Sequence, residues 1–180
     1  MESLVYPMNE AITTISVAAG DSVETLFRAH YARLVRALAV VAGSQEAAAD
    51  AVQEAFVKAH LHWRRIQRYD DPVGWIRRVA INKLRDDHRR GGRKERAVER
   101  LKADARPDQI EWSNGQDVTA LLAELPRQQR LAMALFYVEG LPIVEVAAAM
   151  KLSEGAVKFH LHQGRDRLRG VVAISQEQLP

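Results

Sequence analysis

The sequence predicts an all-α protein made of two small helical domains joined by a flexible linker. Apolar residues recur at helical spacing on both sides of the chain's middle, and no segment shows the alternation of a strand. The middle stretch, residues 103–117, contains Pro107, Asn114 and Gly115 and has no such period. With 180 residues and 47% hydrophobic content, the chain is large enough to bury a core in each half.

The first predicted domain, residues 21–102, follows an N-terminal extension, residues 1–20, that we expect to be mobile. Asp21 and Glu24 have the spacing of a capping box ahead of the first helix. The helices of this domain are predicted from about Val23 to Val41 with Gly43 at the end, from the cap Ser44 to about His62, and from Asp71-Pro72 to about Arg90, where Gly91-Gly92 interrupts or ends the helix.

The second helix has two contrasting faces. One face is apolar and is predicted to be buried: Ala48, Val52, Ala55, Phe56 and Ala59. The opposite face is acidic with one apolar residue: Asp50, Gln53, Glu54 and Val57. This face is either a partner surface or a solvated helix face, and the residues alone do not decide between them.

The third helix also divides into two faces. Its predicted buried stripe is Val73, Ile76, Ala80 and Leu84, and the side opposite carries Trp75, Arg78, Asn82, Arg85 and Arg89. Arginine suits phosphates, asparagine suits base edges and tryptophan suits stacking, so this face fits a nucleic-acid strand, although Trp75 also fits the edge of a core. Upstream, a predicted loop interleaves aromatic residues and arginines, with Arg64, Arg65 and Tyr69 as candidates to bind bases that leave a duplex.

The second predicted domain, residues 118–172, contains a helix-turn-helix and precedes a tail, residues 173–180. A short helix from Val118 to Leu125 and a helix from Leu125-Pro126 to about Gly140 come first. Pro142 begins the next helix, Lys151-Leu152-Ser153 makes the turn, and Ser153 caps the second helix of the motif. The predicted seam of that second helix is Val157, Leu161, Gly164 and Leu168, and the residues away from the seam are Lys158, Phe159, His162, Gln163 and Arg165.

Charge is distributed unevenly along the chain. The formal net charge is +3, but residues 58–102 hold fifteen bases against six acids, whereas residues 1–57 and 103–150 each carry a net −4. Residues 151–180 carry a net +2. Clustered lysine and arginine are typical of phosphate-binding surfaces, so the pattern predicts two nucleic-acid surfaces.

Several other classes of function are disfavoured by the composition and motifs. The chain has no cysteine, no apolar run of about 18 residues that would span a bilayer, and no secretory leader pattern, so we expect a cytoplasmic protein without membrane insertion. His60, His62, His160 and His162 lack further ligands at metal spacing. There is no glycine-rich phosphate loop or nucleophile elbow, so we expect no enzyme activity, no cofactor and no metal.

Both halves of the chain resemble the extracytoplasmic-function (ECF) class of bacterial sigma-70 factors. In the second half the matching residues are Glu145-Val146-Ala147, Met150, Leu152-Ser153, Gly155, Val157-Lys158, Leu161 and Arg165. In the first half they are the stretch Asp50-Ala51-Val52-Gln53-Glu54-Ala55-Phe56 and the stretch Trp75-Ile76-Arg77-Arg78-Val79-Ala80-Ile81-Asn82. The sequence departs from the family's helix-turn-helix pattern at Lys151, Ala156, Phe159, His160, Gln163 and Gly164.

The resemblance implies a role for each surface. The first domain would be sigma region 2, with Asp50, Gln53, Glu54 and Val57 docking on core RNA polymerase at the β′ coiled coil. Arg64, Arg65, Tyr69, Trp75, Arg78, Asn82, Arg85 and Arg89 would bind the −10 element of promoter DNA. The second domain would be sigma region 4, with Lys158, Phe159, His162, Gln163 and Arg165 at the −35 element. The implied partners are the β and β′ subunits of core polymerase, promoter DNA and an anti-sigma factor.

A different class of protein is the alternative. A LuxR-type transcription regulator has a similar recognition helix, which Val157-Lys158-Phe159-His160-Leu161 nearly matches, and it binds DNA without docking on core polymerase. The charge pattern alone also fits a helical RNA-binding protein. The residues Asp50 to Phe56 and the basic third helix favour the sigma-factor interpretation.

Overall fold

The computed structural model describes residues 22–98 and 122–177, with side chains over residues 22–90 and 122–170. Every element in these ranges is helical, which confirms the all-α prediction. The helices are α1 (Val23–Ala42), α2 (Gln45–Leu61), α3 (Trp63–Ile66), α4 (Pro72–Val98), α5 (Arg127–Met133), a π-helical turn (Ala134–Val138), α6 (Ile143–Met150) and α7 (Glu154–Glu177).

Short polar side chains cap the helices where the sequence analysis placed most of the caps. Ser44 Oγ accepts the N–H of Ala47 at 3.2 Å at the start of α2, and Asp71 Oδ1 accepts the N–H of Gly74 at 2.7 Å at the start of α4. Such a cap satisfies one of the unpaired donors of a first helical turn. For α1 the prediction was wrong by one residue, because the cap is Ser22, whose Oγ accepts the N–H of Thr25.

Two further expectations are corrected. The stretch from Trp63 to Ile66 is a short helix and not a loop, and Ile66 at its end is 1% exposed. Burial of Ile66 holds this turn against the core. Helix α4 continues through Gly91-Gly92 to Val98, although glycine inside a helix costs about 1 kcal/mol relative to alanine. Arginine, lysine and glutamate, which favour helices, follow the two glycines.

The predicted buried faces of α2 and α4 are confirmed. Helix α2 packs between α1 and α4, and its whole predicted apolar face is buried. The same holds for the predicted stripe of α4. We call α1 to α4 the first helical group.

The helix-turn-helix forms as predicted, with α6 and α7 as its helices. Val146 and Val157 are fully buried where the two helices meet, and Ser153 Oγ accepts the N–H of Ala156 to cap α7. Helix α5 packs on the opposite part of α7, where Gly164 allows close approach because a Cβ there would lie 3.0 Å from Met133 Cγ. We call α5, the π-helical turn, α6 and α7 the second helical group.

Lys151 joins α6 to the turn in an unusual conformation. Its φ of 58° and ψ of 46° lie in the left-handed region, and it is the only non-glycine residue with positive φ in the described ranges. A side chain with a Cβ costs roughly 1–2 kcal/mol in that region, which is why glycine is usual at such helix ends.

The two helical groups pack against each other and share one core. Helix α1 contacts α5 and the π-helical turn, and α4 contacts α6. We call this packing the closed arrangement. The predicted extension (1–20) and linker (103–117) lie outside the described residues, as does most of the predicted helix from Val118 to Leu125. The backbone of residues 173–177, assigned above to the tail, continues α7.

Candidate functional site

The acidic face of α2 is open to solvent at three of its four predicted positions. Asp50 and Gln53 are exposed, and Val57 is 52% exposed. Glu54 is half-buried, with Oε1 2.7 Å from Lys58 Nζ and Oε2 3.3 Å from Lys83 Nζ. The hydrogen bond from Lys58 lowers the pKa of Glu54 and outweighs the opposite effect of partial burial. The hydrogen bond from Lys83 lowers this pKa further. Asp50, which is exposed, is therefore the carboxylate of this face that is more accessible to another molecule.

An apolar groove adjoins this face, and the sequence analysis did not identify it. The rings of Phe27 and Tyr31 stack with centroids 4.5 Å apart, and Phe56 meets Phe27 edge-on at 5.1 Å. Leu61, 70% exposed, and Val57 line the same groove. In the sequence, the spacing of Phe27 and Tyr31, one helical turn apart, is the signal that could have predicted this groove. The groove makes the exposed surface beside α2 wider and more apolar than the acidic residues of α2 alone indicate.

The basic surface is formed by α3 and the outward side of α4. Arg64 and Arg65 are exposed on α3, and the Arg65 guanidinium lies 6.0 Å from the ring centroid of Tyr69. Along α4, Asn82 and Arg89 are exposed and Arg78 and Arg85 are half-buried. Tyr69 and Trp75 are half-buried and pack against the core, so each ring presents only one part to a ligand. The five predicted residues of α4 follow one another along one side of that helix, and the last two, Arg85 and Arg89, also line a cleft against the second helical group.

The outer side of α7 carries the five residues predicted to contact DNA. Lys158, His162 and Arg165 are exposed, and Phe159 is 58% exposed with its ring 5.9 Å from that of His160. Gln163 is half-buried. Two of the five have partners of their own: His162 Nε2 lies 3.2 Å from Asp166 Oδ2, and Arg165 donates to Tyr137 Oη at 3.3 Å.

A buried ion pair connects the two helical groups. Arg77 on α4 and Glu139 after the π-helical turn are each 4% exposed, and Arg77 Nε lies 2.7 Å from Glu139 Oε1. Glu145 on α6 approaches Arg77 at 4.0 Å. Burial raises the pKa of Glu139, and this effect is larger than the attraction of Arg77, which lowers the pKa. Among the described residues, Glu139 Oε2 has no hydrogen-bond partner.

The sequence analysis missed this pair. Arg77 lies beside Ile76 and one turn from Val73 and Ile81, so an arginine inside the apolar stripe of α4 was the available signal. A buried guanidinium needs a charged partner. Nothing in the local pattern indicates that this partner is Glu139, 62 residues away.

Metal and membrane sites receive no support from the described residues. No three His, Asp or Glu side chains lie close enough to hold a metal ion within the described ranges. None of the helices described above is long and apolar enough to cross a membrane.

Comparison with known proteins gives a family to both helical groups. Residues 26–94 match the family model of sigma-70 region 2, and residues 115–168 match that of sigma-70 region 4. The ECF RNA polymerase sigma factor SigE of Mycolicibacterium smegmatis is 33% identical over 185 residues, covering 94% of this chain and 71% of the relative. The ECF sigma factor SigM of Mycobacterium tuberculosis is 32% identical, covering 83% of this chain and 78% of the relative.

Solved structures show the same fold. The sigma factor RpoE of Bartonella quintana, crystallised with the anti-sigma factor NepR, superposes with a TM-score of 0.71 at 19% identity, covering 84% of this chain and 96% of that one. CnrH, in complex with the cytosolic domain of CnrY, gives a TM-score of 0.60 at 24% identity, covering 84% and 88%.

The chain belongs to the ECF sigma factors of the sigma-70 family. It is an RNA polymerase sigma factor, which directs core polymerase to promoters. The family assignment does not favour the LuxR-type alternative.

Proposed function

We propose that this sigma factor divides its work among the three surfaces described above. The face of α2 with Asp50, Gln53, Glu54 and Val57 docks on core polymerase, the basic surface of α3 and α4 binds and opens the −10 element, and the outer side of α7 reads the −35 element. The observation that supports the proposal is that every residue of the three predicted sets is exposed or half-buried, and none is in the core. The chain makes and breaks no bond itself, and it acts where polymerase and chromosomal DNA are, in the cytoplasm.

Joint binding is the physical basis of this division. Two modules held on one polymerase raise each other's effective concentration at the promoter, so two weak DNA contacts act as one strong one. Unstacking bases at the −10 element costs a few kcal/mol per step, and stacking on exposed ring surface together with a basic channel offsets that cost.

We further propose an anti-sigma factor as a partner. Of the solved structures named above, RpoE is in complex with the anti-sigma factor NepR, and CnrH is in complex with the cytosolic domain of CnrY. An inhibitor that covers the face of α2 and its apolar groove would compete directly with polymerase.

Charge reversal at Asp50 tests the docking surface. We expect Asp50→Lys to weaken binding to core polymerase about tenfold or more, because an exposed carboxylate that pairs across an interface becomes a repelling cation. Combining it with Glu54→Lys should weaken binding further, with a small loss of stability because Lys58 and Lys83 lose their partner. Binding is measured by surface capture of core polymerase, with circular dichroism to check the fold.

The matched control is Glu124→Lys, which reverses an exposed acid on the second helical group outside every proposed surface. It should bind core polymerase as the wild type does. Undiminished binding by folded Asp50→Lys/Glu54→Lys protein would remove this face from the proposal.

The basic face of α4 is tested by separating DNA melting from recruitment. We expect Arg78→Ala, Asn82→Ala and Arg85→Ala to reduce open-complex formation on duplex promoters more than they reduce polymerase binding. The reason is that these side chains contact the strand only after the bases separate. Templates with a mismatched, pre-melted −10 element should restore part of the lost activity.

Permanganate footprinting measures the melting directly. Arg28→Ala, which removes an exposed arginine from α1 outside this face, serves as the control and should melt promoters normally. Equal defects of the α4 variants on duplex and pre-melted templates would contradict a role in melting.

A further inference from the structure

A second candidate site lies between the two helical groups, in a cleft of about 440 Å³. Core side chains of both groups meet at its floor, Ile81 and Leu84 on one side and Leu131 and Met150 on the other, each 4–7% exposed. Its rim is cationic: Arg85 and Arg89 come from α4, and Arg127 and Lys151 come from the second helical group. The volume falls within the usual range of small-ligand pockets.

Among the side chains that the structure describes, none offers a counter-charge to the four cations of this rim. Within residues 22–90 and 122–170, no carboxylate or other acceptor pairs with Arg85, Arg89, Arg127 or Lys151. Burial, followed by repulsion from Arg85 and Arg89, lowers the pKa of Arg127. Like charges brought together without a counter-charge oppose the closed arrangement, and a bound anion removes that repulsion.

The backbone at Lys151 is an independent observation that points the same way. Lys151 lines the rim, and its backbone has a left-handed conformation that glycine would adopt without strain. Strain of this kind persists where the surroundings require a particular side chain and is concentrated at binding sites. Glycine at this position would lack the cationic side chain that Lys151 brings to the lining of the cleft.

We propose that this cleft binds a nucleoside polyphosphate, with the phosphates between the four cations and the base on the apolar floor. Arginine and lysine are the residues that bind phosphate, and a flat, weakly polar base suits a floor of leucine, isoleucine and methionine. The ligand bridges both helical groups, so it favours the closed arrangement.

Calorimetric titration of the full chain, without polymerase or DNA, tests the proposal separately from the sigma-factor function. The probes are ATP, inorganic tripolyphosphate and adenosine. We expect ATP to bind with a dissociation constant below about 1 mM, tripolyphosphate to bind at least about fivefold more weakly, and adenosine not to bind measurably. Equal binding of ATP and tripolyphosphate would overturn the assignment of the floor to a base, and no binding of ATP would overturn the proposal.

Two variants locate the binding in the cleft. Arg127→Gln and Lys151→Gly should each weaken ATP binding about tenfold, and Lys151→Gly should melt at the wild-type temperature or above it, since the backbone strain is relieved. Arg167→Gln, which removes an exposed arginine of the same helical group outside the cleft, should bind ATP as the wild type does. Unchanged ATP binding by both cleft variants would overturn the site.

The last arm replaces ATP with a single-stranded oligonucleotide. If the oligonucleotide binds through Arg127 and Lys151 and ATP does not, the cleft is a strand-binding site and the proposal of a small ligand fails. If ATP alone depends on these two residues, the proposal stands.

Discussion

Replacing Glu139 with alanine should open the closed arrangement while leaving both helical groups folded. Arg77 is 4% exposed, and without Glu139 its charge is buried beside only the more distant Glu145. Removing one partner of a buried ion pair typically costs about 3–5 kcal/mol. We expect the two groups to separate at the surface where they meet, so that water reaches Arg77 before either group unfolds.

Fluorescence energy transfer measures this opening. The chain has no cysteine, so labels attached at Gln45→Cys and Arg167→Cys report only the chosen pair of positions. We expect lower transfer in Glu139→Ala than in the wild type, with little change in helical content. The double variant Arg77→Met/Glu139→Met should return to high transfer, because an apolar pair of similar volume replaces a buried ion pair without loss. Unchanged transfer in Glu139→Ala would show that the pair does not hold the groups together.

Opening matters because the closed arrangement is too small for a promoter. The names of the −10 and −35 elements place them about 25 base pairs apart, or about 85 Å at 3.4 Å per step. A compact body of this length is about 40 Å across, from a radius of gyration of about 16 Å. If each group reads one element as proposed, both elements are read only after the groups separate. It follows that Glu139→Ala should also bind core polymerase at lower concentration, since less free energy is spent on opening.

Phe159→Ser should change which −35 sequences are used without unfolding the second helical group. The ring is 58% exposed on the outer side of α7, so it contributes little to the core. A ring at that position suits contact with a thymine methyl group, and loss of one such base contact costs about 1–3 kcal/mol at a single base pair.

Selection of active promoters from randomised −35 elements, with wild-type and variant protein, measures the preference. Val144→Ser is a matched control, because Val144 is also 58% exposed but lies on α6; it should leave the preference unchanged. Arg165→Gln should weaken use of all −35 sequences alike, as expected for a phosphate contact. An unchanged preference in Phe159→Ser would show that the ring does not contact a base, and a large fall in its melting temperature would show that the ring supports the fold.

Local patterns predicted the helices and their faces, because a helix and its buried face depend on residues that lie only a few positions apart. The buried stripes of α2 and α4 and the caps at Ser44, Asp71 and Ser153 follow directly from helical spacing and hydrogen-bonding capacity. The continuation of α4 through Gly91-Gly92 does not follow from helical spacing. There the free-energy cost of glycine inside a helix competes with the helix-forming residues that come next.

Local sequence patterns could not predict the features that join distant parts of the chain. The pair of Arg77 with Glu139 and the convergence of Arg85, Arg89, Arg127 and Lys151 depend on how the two helical groups pack. An arginine in an apolar stripe signals that a partner exists, but only the tertiary structure identifies it. The candidate contact residues, by contrast, were predictable as sets because each set lies along one helix or one turn.

The most direct test of the central claim is transcription in vitro from fragmented genomic DNA with purified core polymerase and this chain, followed by mapping of start sites. If the three surfaces act as proposed, the wild type should produce start sites that share one −35 and one −10 sequence at constant spacing. Asp50→Lys/Glu54→Lys protein should produce none of them, and Glu124→Lys protein should produce them all. Start sites that are the same with and without the chain, or that persist with the docking variant, would contradict the account.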